Sequence, residues 1–326
     1  MDKKFHTNLI VSSAPHIVTD SDTTRLMGTV FLALVPALLA STYIFGARVL
    51  LLAAVSVIAC VGFEWLWNTG LKKKQTVGDL SAALTGLLLA MNVPSSFPIW
   101  QLILGDCFAI VVVKSLYGGL GKNFTNPAIT ARIFLFISFA SNMSTWPTTK
   151  LDGTDAVTGA TPLAIIGETG FDKDALPTLG QMFLGFRGGA CGEVCALALI
   201  LGGIFLIWKK VISPIIPCAF IGTVFVVAFI ATGSLYAAVF HCLAGGVMLG
   251  AFFMATDYVT SPKLPLGQLI FGIGCGLITM CIRFLGSYPE GVSFSILLMN
   301  ICTPLINRLS YNIYLKNAAK QMEGGK

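Results

Sequence analysis

The sequence predicts an all-α polytopic membrane protein of about ten transmembrane helices, arranged as two inverted five-helix repeats with both termini in the cytoplasm. Three observations carry this expectation. Hydrophobic residues make up 55% of the 326-residue chain and charged residues only 11%, with a mean hydropathy of +0.82, which excludes an ordinary soluble domain. Leu, Ile, Val and Phe fill successive windows near the roughly 20 residues that a helix needs to cross a bilayer. Lysines and arginines alternate between sparse and dense at successive ends of those windows, as the positive-inside bias requires.

In chain order the expected spans are residues 25–45, 48–68, 77–93, 97–118, 126–142, 189–208, 211–232, 237–256, 266–286 and 291–310. The third and fifth are short and polar, carrying Asp79, Thr85 and Asn92 in one and Asn126, Thr130 and Arg132 in the other. The chain divides into a first transmembrane half (1–142), a polar loop (143–188), and a second half with a short tail (189–326). Five spans per half bring the second half in from the opposite face, the inverted-repeat arrangement of many transporters. Both halves show a Gly-containing helix, a Ser/Pro turn, a further helix and a Gly-rich turn. The turns are 93–98 and 118–127 in the first half, and 256–262 and 286–294 in the second. Non-helical backbone at such places binds ions or planar cofactors when protein shields it, but Gly, Asn and Pro also belong in ordinary interhelix turns.

Placing the N-terminus in the cytoplasm puts Lys72–Lys74, Lys114, Lys122, Lys209, Lys210 and most other basic residues on the cytoplasmic side. Only Arg48, Lys150, Lys173 and Arg187 fall outside, and Arg132 and Arg283 remain within spans. The 143–188 loop is thereby expected to be extracytoplasmic. The polar first two dozen residues argue against a cleavable signal peptide.

Ionisable groups inside spans are functional candidates. Glu64, Asp106, Arg132, Glu193, His241 and Arg283 qualify, with Asp79 and Asp257 near cytoplasmic ends. Glu193 and His241 read best as solvated interfacial ends. Asp106 and Arg132 form a candidate buried pair. The nine cysteines form no C-x-x-C pair and read as small buried hydrophobes, with Cys191 and Cys195 one helical turn apart.

The polar loop contains Asp155-Ala-Val-Thr158-Gly159-Ala160-Thr161-Pro-Leu163. By itself this is an ordinary turn composition. It also resembles the D-x-x-[ST]-G-A-T pattern at which a flavin transferase attaches FMN to threonine through a phosphodiester. The acceptor hydroxyl would be Thr161, and Gly159 and Ala160 keep its surroundings free of bulk.

That string follows Gly121-Lys122-Asn123-Phe124-Thr125-Asn126-Pro127-Ala128 and the Arg132 span. It precedes Thr256–Pro262 and Gly286–Phe294. In this order, from about Val11 to about Arg308, the set resembles RnfD, the D-type membrane component of Rnf electron-transport complexes. It is similar also to NqrB, the corresponding component of sodium-pumping NADH:quinone oxidoreductases, whose N-terminal extension is longer.

The resemblance implies a bacterial inner-membrane subunit that relays electrons between ferredoxin and NAD through covalent FMN on Thr161. That relay is coupled to export of sodium ions or protons. Asp155, Thr158, Gly159 and Ala160 would form the attachment string, and Arg132, Asn123 and Asn126 would support the flavin, Arg132 by binding its phosphate or stabilising its anionic reduced form. Partners would be flavoprotein and iron–sulfur subunits, a flavin transferase and the lipid bilayer, with no nucleic acid. Some members also hold a noncovalent riboflavin, for which the sequence assigns no residues. The chain shows no dinucleotide-binding motif and no Cys-rich cluster, so alone it would catalyse no net reaction. A solute transporter without redox chemistry fits the span pattern equally well, but has no need of the Asp155–Thr161 string.

Overall fold

The computed structural model describes residues 22–147, 158–159, 161–169, 176–185, 188–286 and 290–324. Helix α1 (Thr23–Phe45) begins where the Asp22 carboxylate accepts from the Thr23 amide, and ends at Gly46, whose φ of 95° breaks the helix before α2 (Arg48–Gly70). A 3₁₀ turn (Val77–Asp79) leads into α3 (Ser81–Met91). Helix α4 (Ile99–Cys107) widens without a break into a π-helical stretch (Phe108–Ser115). Helix α5 (Pro127–Ser138) starts with Pro127 in its first turn, and the Asn126 side chain accepts from the amides of Ala128 and Ile129. A short α6 (Ala140–Met143) follows. Strand β1 (Trp146–Pro147) then pairs antiparallel with β2 (Thr158–Gly159), matching Trp146 to Gly159. The remaining helices are α7 (Pro162–Thr169), α8 (Leu179–Leu184), α9 (Ala196–Trp208), α10 (Ile215–Thr232), α11 (Leu235–Leu243), α12 (Val247–Leu249), α13 (Pro265–Leu285) and α14 (Val292–Gly324). A second π-helical stretch (Gly250–Met254) continues α12.

Every expected span coincides with a helix or a helix pair, but not all are full-length crossings. Among the described residues, five helices are long and apolar enough to span: α1, α2, α10, α13 and the Val292–Asn317 part of α14. A sixth arises if α11 and the 247–254 segment, bent by 64° across Gly245, count as one broken span. Helices α3, α5 and α9 are apolar but shorter. Asp79 and Asn92 flank α3 and Asn126 caps the start of α5, whereas Thr85, Thr130 and Arg132 lie within the helices.

Helix α1 packs on α9, α2 on α3 and α4, α10 on α11 and α13, and α14 on α13 and α5. Lipid-facing positions carry large apolar side chains such as Leu39, Ile58, Trp208, Ile230, Leu285 and Leu305. Without a hydrophobic driving force between helices in lipid, close backbone approach at small residues holds them together. On α13, Gly272 and Gly276 lie one turn apart against α10. A Cβ at Gly276 would meet Thr223 Cβ at 2.6 Å and the Phe220 carbonyl at 3.1 Å. Gly222, by contrast, has open space beside it. Gly276→Leu is therefore expected to destabilise the fold by about 1–3 kcal/mol, whereas Gly222→Ala leaves stability unchanged or raised. Unfolding in detergent followed by circular dichroism checks both.

Candidate functional site

Thr161 sits directly before α7. Its Oγ1 accepts from the Ala164 amide at 3.2 Å and its carbonyl from the Ile165 amide at 3.0 Å, so the hydroxyl lies at the electropositive N-terminus of a helix. The residue is only 4% exposed and faces a narrow cleft lined by Gly188, Gly189, Gly245, Glu193 and Glu290. The glycines keep the cleft open. A Cβ at Gly245, whose φ is 63°, would meet Leu163 Cδ1 at 2.9 Å and Arg283 Nη2 at 3.1 Å. Of the acceptor string, Thr158 and Gly159 form β2, while Asp155 and Ala160 lie outside the described residues.

The two acidic walls of the cleft are bound by Arg132. Its Nη2 contacts Glu193 Oε1 at 3.3 Å and forms a short bond to Glu290, and its Nη1 donates to Ser293 Oγ at 2.7 Å. Arg283 reaches the same region, donating to the carbonyls of His241 (2.7 Å) and Ala244 (2.8 Å) at the end of α11, where a cation complements the helix dipole. The cluster contributes two cations and two carboxylates around the threonine.

Several expectations change. Arg132 does not pair with Asp106. It turns to Glu193 and Glu290, while Asp106 is bound by Ser56 and Cys60. Glu193 and His241 are buried rather than solvated: Glu193 faces Arg132, and the His241 ring packs edge-on against Phe284. Lys114 is not a surface lysine. It is buried, 2.9 Å from Glu64 Oε1 and 2.6 Å from Ser81 Oγ, because the π-helical turn carries it inward. All nine cysteines are free, but Cys218, Cys281 and Cys302 are exposed on outward helix faces rather than buried. Among the described residues no group of three His, Cys, Asp or Glu is placed to hold a metal.

Asn123 and Asn126 do not join Thr161. They line a second, larger cleft between the two halves, partly open to solvent, with Thr85 and Lys114 on one side and Phe252, Thr256 and Asp257 on the other. Asn126 Nδ2 also donates to the Met254 carbonyl at 3.3 Å, tying the start of α5 to the end of the second π-helical stretch. Asn123 Nδ2 donates to Thr125 O at 3.1 Å, while its buried Oδ1 has no hydrogen-bond partner among the described residues. Glu290 and Ser293 are partners of Arg132 to which the sequence alone assigns no role. Their partnership with Arg132 joins residues about 160 positions apart, which no local pattern reveals.

Fold and site together define a polytopic membrane protein with a buried arginine–carboxylate cluster around a threonine at the head of a loop helix. The chain belongs to the NQR2, RnfD, RnfE family, whose model matches residues 10–314. It is 48% identical to the D subunit of the Na(+)-translocating ferredoxin:NAD(+) oxidoreductase complex of Acetobacterium woodii, over 93% of this chain and 94% of that protein. It is 43% identical to the D subunit of the proton-translocating ferredoxin:NAD(+) oxidoreductase complex of Clostridium ljungdahlii, over 92% and 94%. It is also 35% identical to the D subunit of an ion-translocating oxidoreductase complex of Aeromonas salmonicida, over 92% and 96%.

Arg132→Gln leaves the buried Glu193 and the half-buried Glu290 without their cation, and breaking such a buried pair costs about 3–5 kcal/mol. Adding Glu193→Gln removes one of the orphaned charges and is expected to recover part of that loss. Chemical denaturation of the single and double variants in detergent measures the coupling.

Proposed function

We propose that this chain is the flavin-bearing membrane subunit of an ion-translocating ferredoxin:NAD oxidoreductase complex in a bacterial cytoplasmic membrane, acting with flavoprotein and iron–sulfur subunits and catalysing no net reaction alone. The observation that carries this reading is the placement of Thr161. An acceptor-type hydroxyl sits at a helix N-terminus in a glycine-containing cleft whose two carboxylates, Glu193 and Glu290, are neutralised by Arg132. Those residues suit a threonine-linked phosphodiester of FMN. The helix N-terminus favours the phosphate charge, and the glycine walls leave it room. A bound flavin supplies one- and two-electron redox chemistry. The chain contributes attachment, a charge-balanced setting and exclusion of water. Because the cleft is much smaller than a flavin, the isoalloxazine would project from its mouth, where a partner protein can reach it.

The larger cavity between the halves suits a second, noncovalent flavin such as riboflavin. Its walls are mostly apolar, and Asn123 Oδ1 offers an unused acceptor. The pairing of α1 with α9 and of α5 with α14 supports two inverted five-helix repeats related across that cavity. The lysine-rich ends of the helices would face the cytoplasm and the Thr161 loop the opposite side.

Co-expressed with its flavin transferase, the intact chain is expected to gain the mass of one FMN less water. Thr161→Ala is expected to abolish that gain, and Thr158→Ala to leave a flavinylated fraction. Covalent flavin on the Thr161→Ala chain would refute the assignment. Asn123→Leu is expected to remove flavin released by denaturation while sparing the covalent fraction, scored by fluorescence of supernatant and protein band. For topology, Lys173→Cys should react with an impermeant maleimide in intact cells and Lys73→Cys only after permeabilisation. The reverse pattern would put the loop in the cytoplasm.

A further inference from the structure

We propose that Asp106 is a proton-binding site inside the first half of the membrane domain, reached from the lysine-rich face along one buried polar face of α2. Asp106 is fully buried. Its Oδ1 lies 2.6 Å from Ser56 Oγ and 3.3 Å from Cys60 Sγ, and its Oδ2 has no hydrogen-bond partner among the described residues. Ser56 Oγ also lies 2.8 Å from the Gly86 carbonyl. A serine hydroxyl has one proton to donate. When Ser56 gives it to Gly86, the 2.6 Å contact with Asp106 is a hydrogen bond only if Asp106 carries a proton of its own. Gly86 enforces this closeness, since a Cβ there would meet the Ser56 carbonyl at 2.6 Å.

The charges around Asp106 leave it without a counterion. Helix α2 presents Cys60 and Glu64, its own helix carries Cys107 and Lys114, and α3 has no titratable side chain. Lys114 is held by Glu64 at 2.9 Å. Arg132 on α5 is held by Glu193 and Glu290. A buried carboxyl with no cation is most stable protonated. The access route is equally specific. Ser56, Cys60, Glu64 and Asn68 recur at every fourth position on one face of α2, and all are buried. From Glu64, bonds run to Thr76 (2.8 Å) and from Thr76 to Asn68 (3.0 Å), ending beside the exposed Lys72–Lys74 turn. The site suits a proton rather than an alkali cation. A hard cation needs about six oxygen ligands, whereas one of the contacts here is a thiol, a poor ligand for such an ion.

Binding converts a carboxylate and a proton to a carboxylic acid, with no electron transfer. The site deepens the ion-translocation part of the proposed function and does not depend on covalent flavin. Infrared difference spectroscopy of the full chain in lipid nanodiscs tests it. A protonated-carboxyl C=O band is expected that Asp106→Asn removes, that Ser56→Ala shifts, and that moves on transfer to D₂O. Exchange of sodium for potassium at fixed pH should leave it in place. If Asp106→Asn does not fold, the Ser56→Ala shift and the D₂O shift decide. A spectrum with no band assignable to Asp106, a band that does not exchange with D₂O, or one that sodium removes at fixed pH would overturn the proposal. A titrating Asp106 band in a complex that moves no ions would support the site while overturning the translocation reading.

Discussion

The bond set between Arg132, Glu193 and Glu290 is the constraint on which the Thr161 end of the structure depends. It ties α5 to the segment entering α9 and to the start of α14, three parts of the chain that no short-range interaction connects. An arginine at this depth is tolerable only with anionic partners, and the carboxylates are tolerable only with the arginine. That mutual requirement fixes the walls of the Thr161 cleft. Gly245 and Gly246 permit it, since a Cβ at Gly246 would approach Glu193 Oε1 at 2.5 Å. The bend between α11 and α12 is thus the backbone side of the same arrangement.

The other end is organised by a second pair, Lys114 with Glu64, on the opposite side of the first-half helices. Each ion set closes one polar region. Arg132 and its carboxylates bound the threonine cleft, while Lys114 borders both the inter-half cavity and the polar face of α2. Short helices are the architectural counterpart. Helices α3, α5 and α9 stop partway, and their ends supply the irregular backbone that only a shielded cavity tolerates.

The positions of the helices were legible because apolar runs leave a strong signature. Their status as full or partial crossings was not, because Asn92, Asn126 and Arg132 look alike in sequence whether they face a cavity or interrupt a span. The local string singles out Thr161, and the structure adds that it stands at the head of α7 in a cleft. The partners of Arg132 were not legible, because charge pairing between residues 132, 193 and 290 is a property of tertiary packing. The burial of Lys114 was not legible for a related reason. A lysine near the end of an apolar run ordinarily lies in water, and only the π-helical turn directs it inward. The grouping of Asn123 and Asn126 with Thr161 failed because α5 separates them. The asparagines stand at its start, and Arg132 is more than a full turn further along.

The threonine acceptor and the Arg132 cluster share one cleft, and the proposed function requires that they act as a single site. A cryo-electron microscopy map of the flavinylated chain in lipid tests this most directly. Density continuous with Thr161 Oγ1, leaving through the cleft between Gly188, Gly245 and Glu290 with Arg132 still bonded to both carboxylates, is the predicted result. Flavin density joined to another residue, or an Arg132 guanidinium turned away from Glu193 and Glu290, would contradict it.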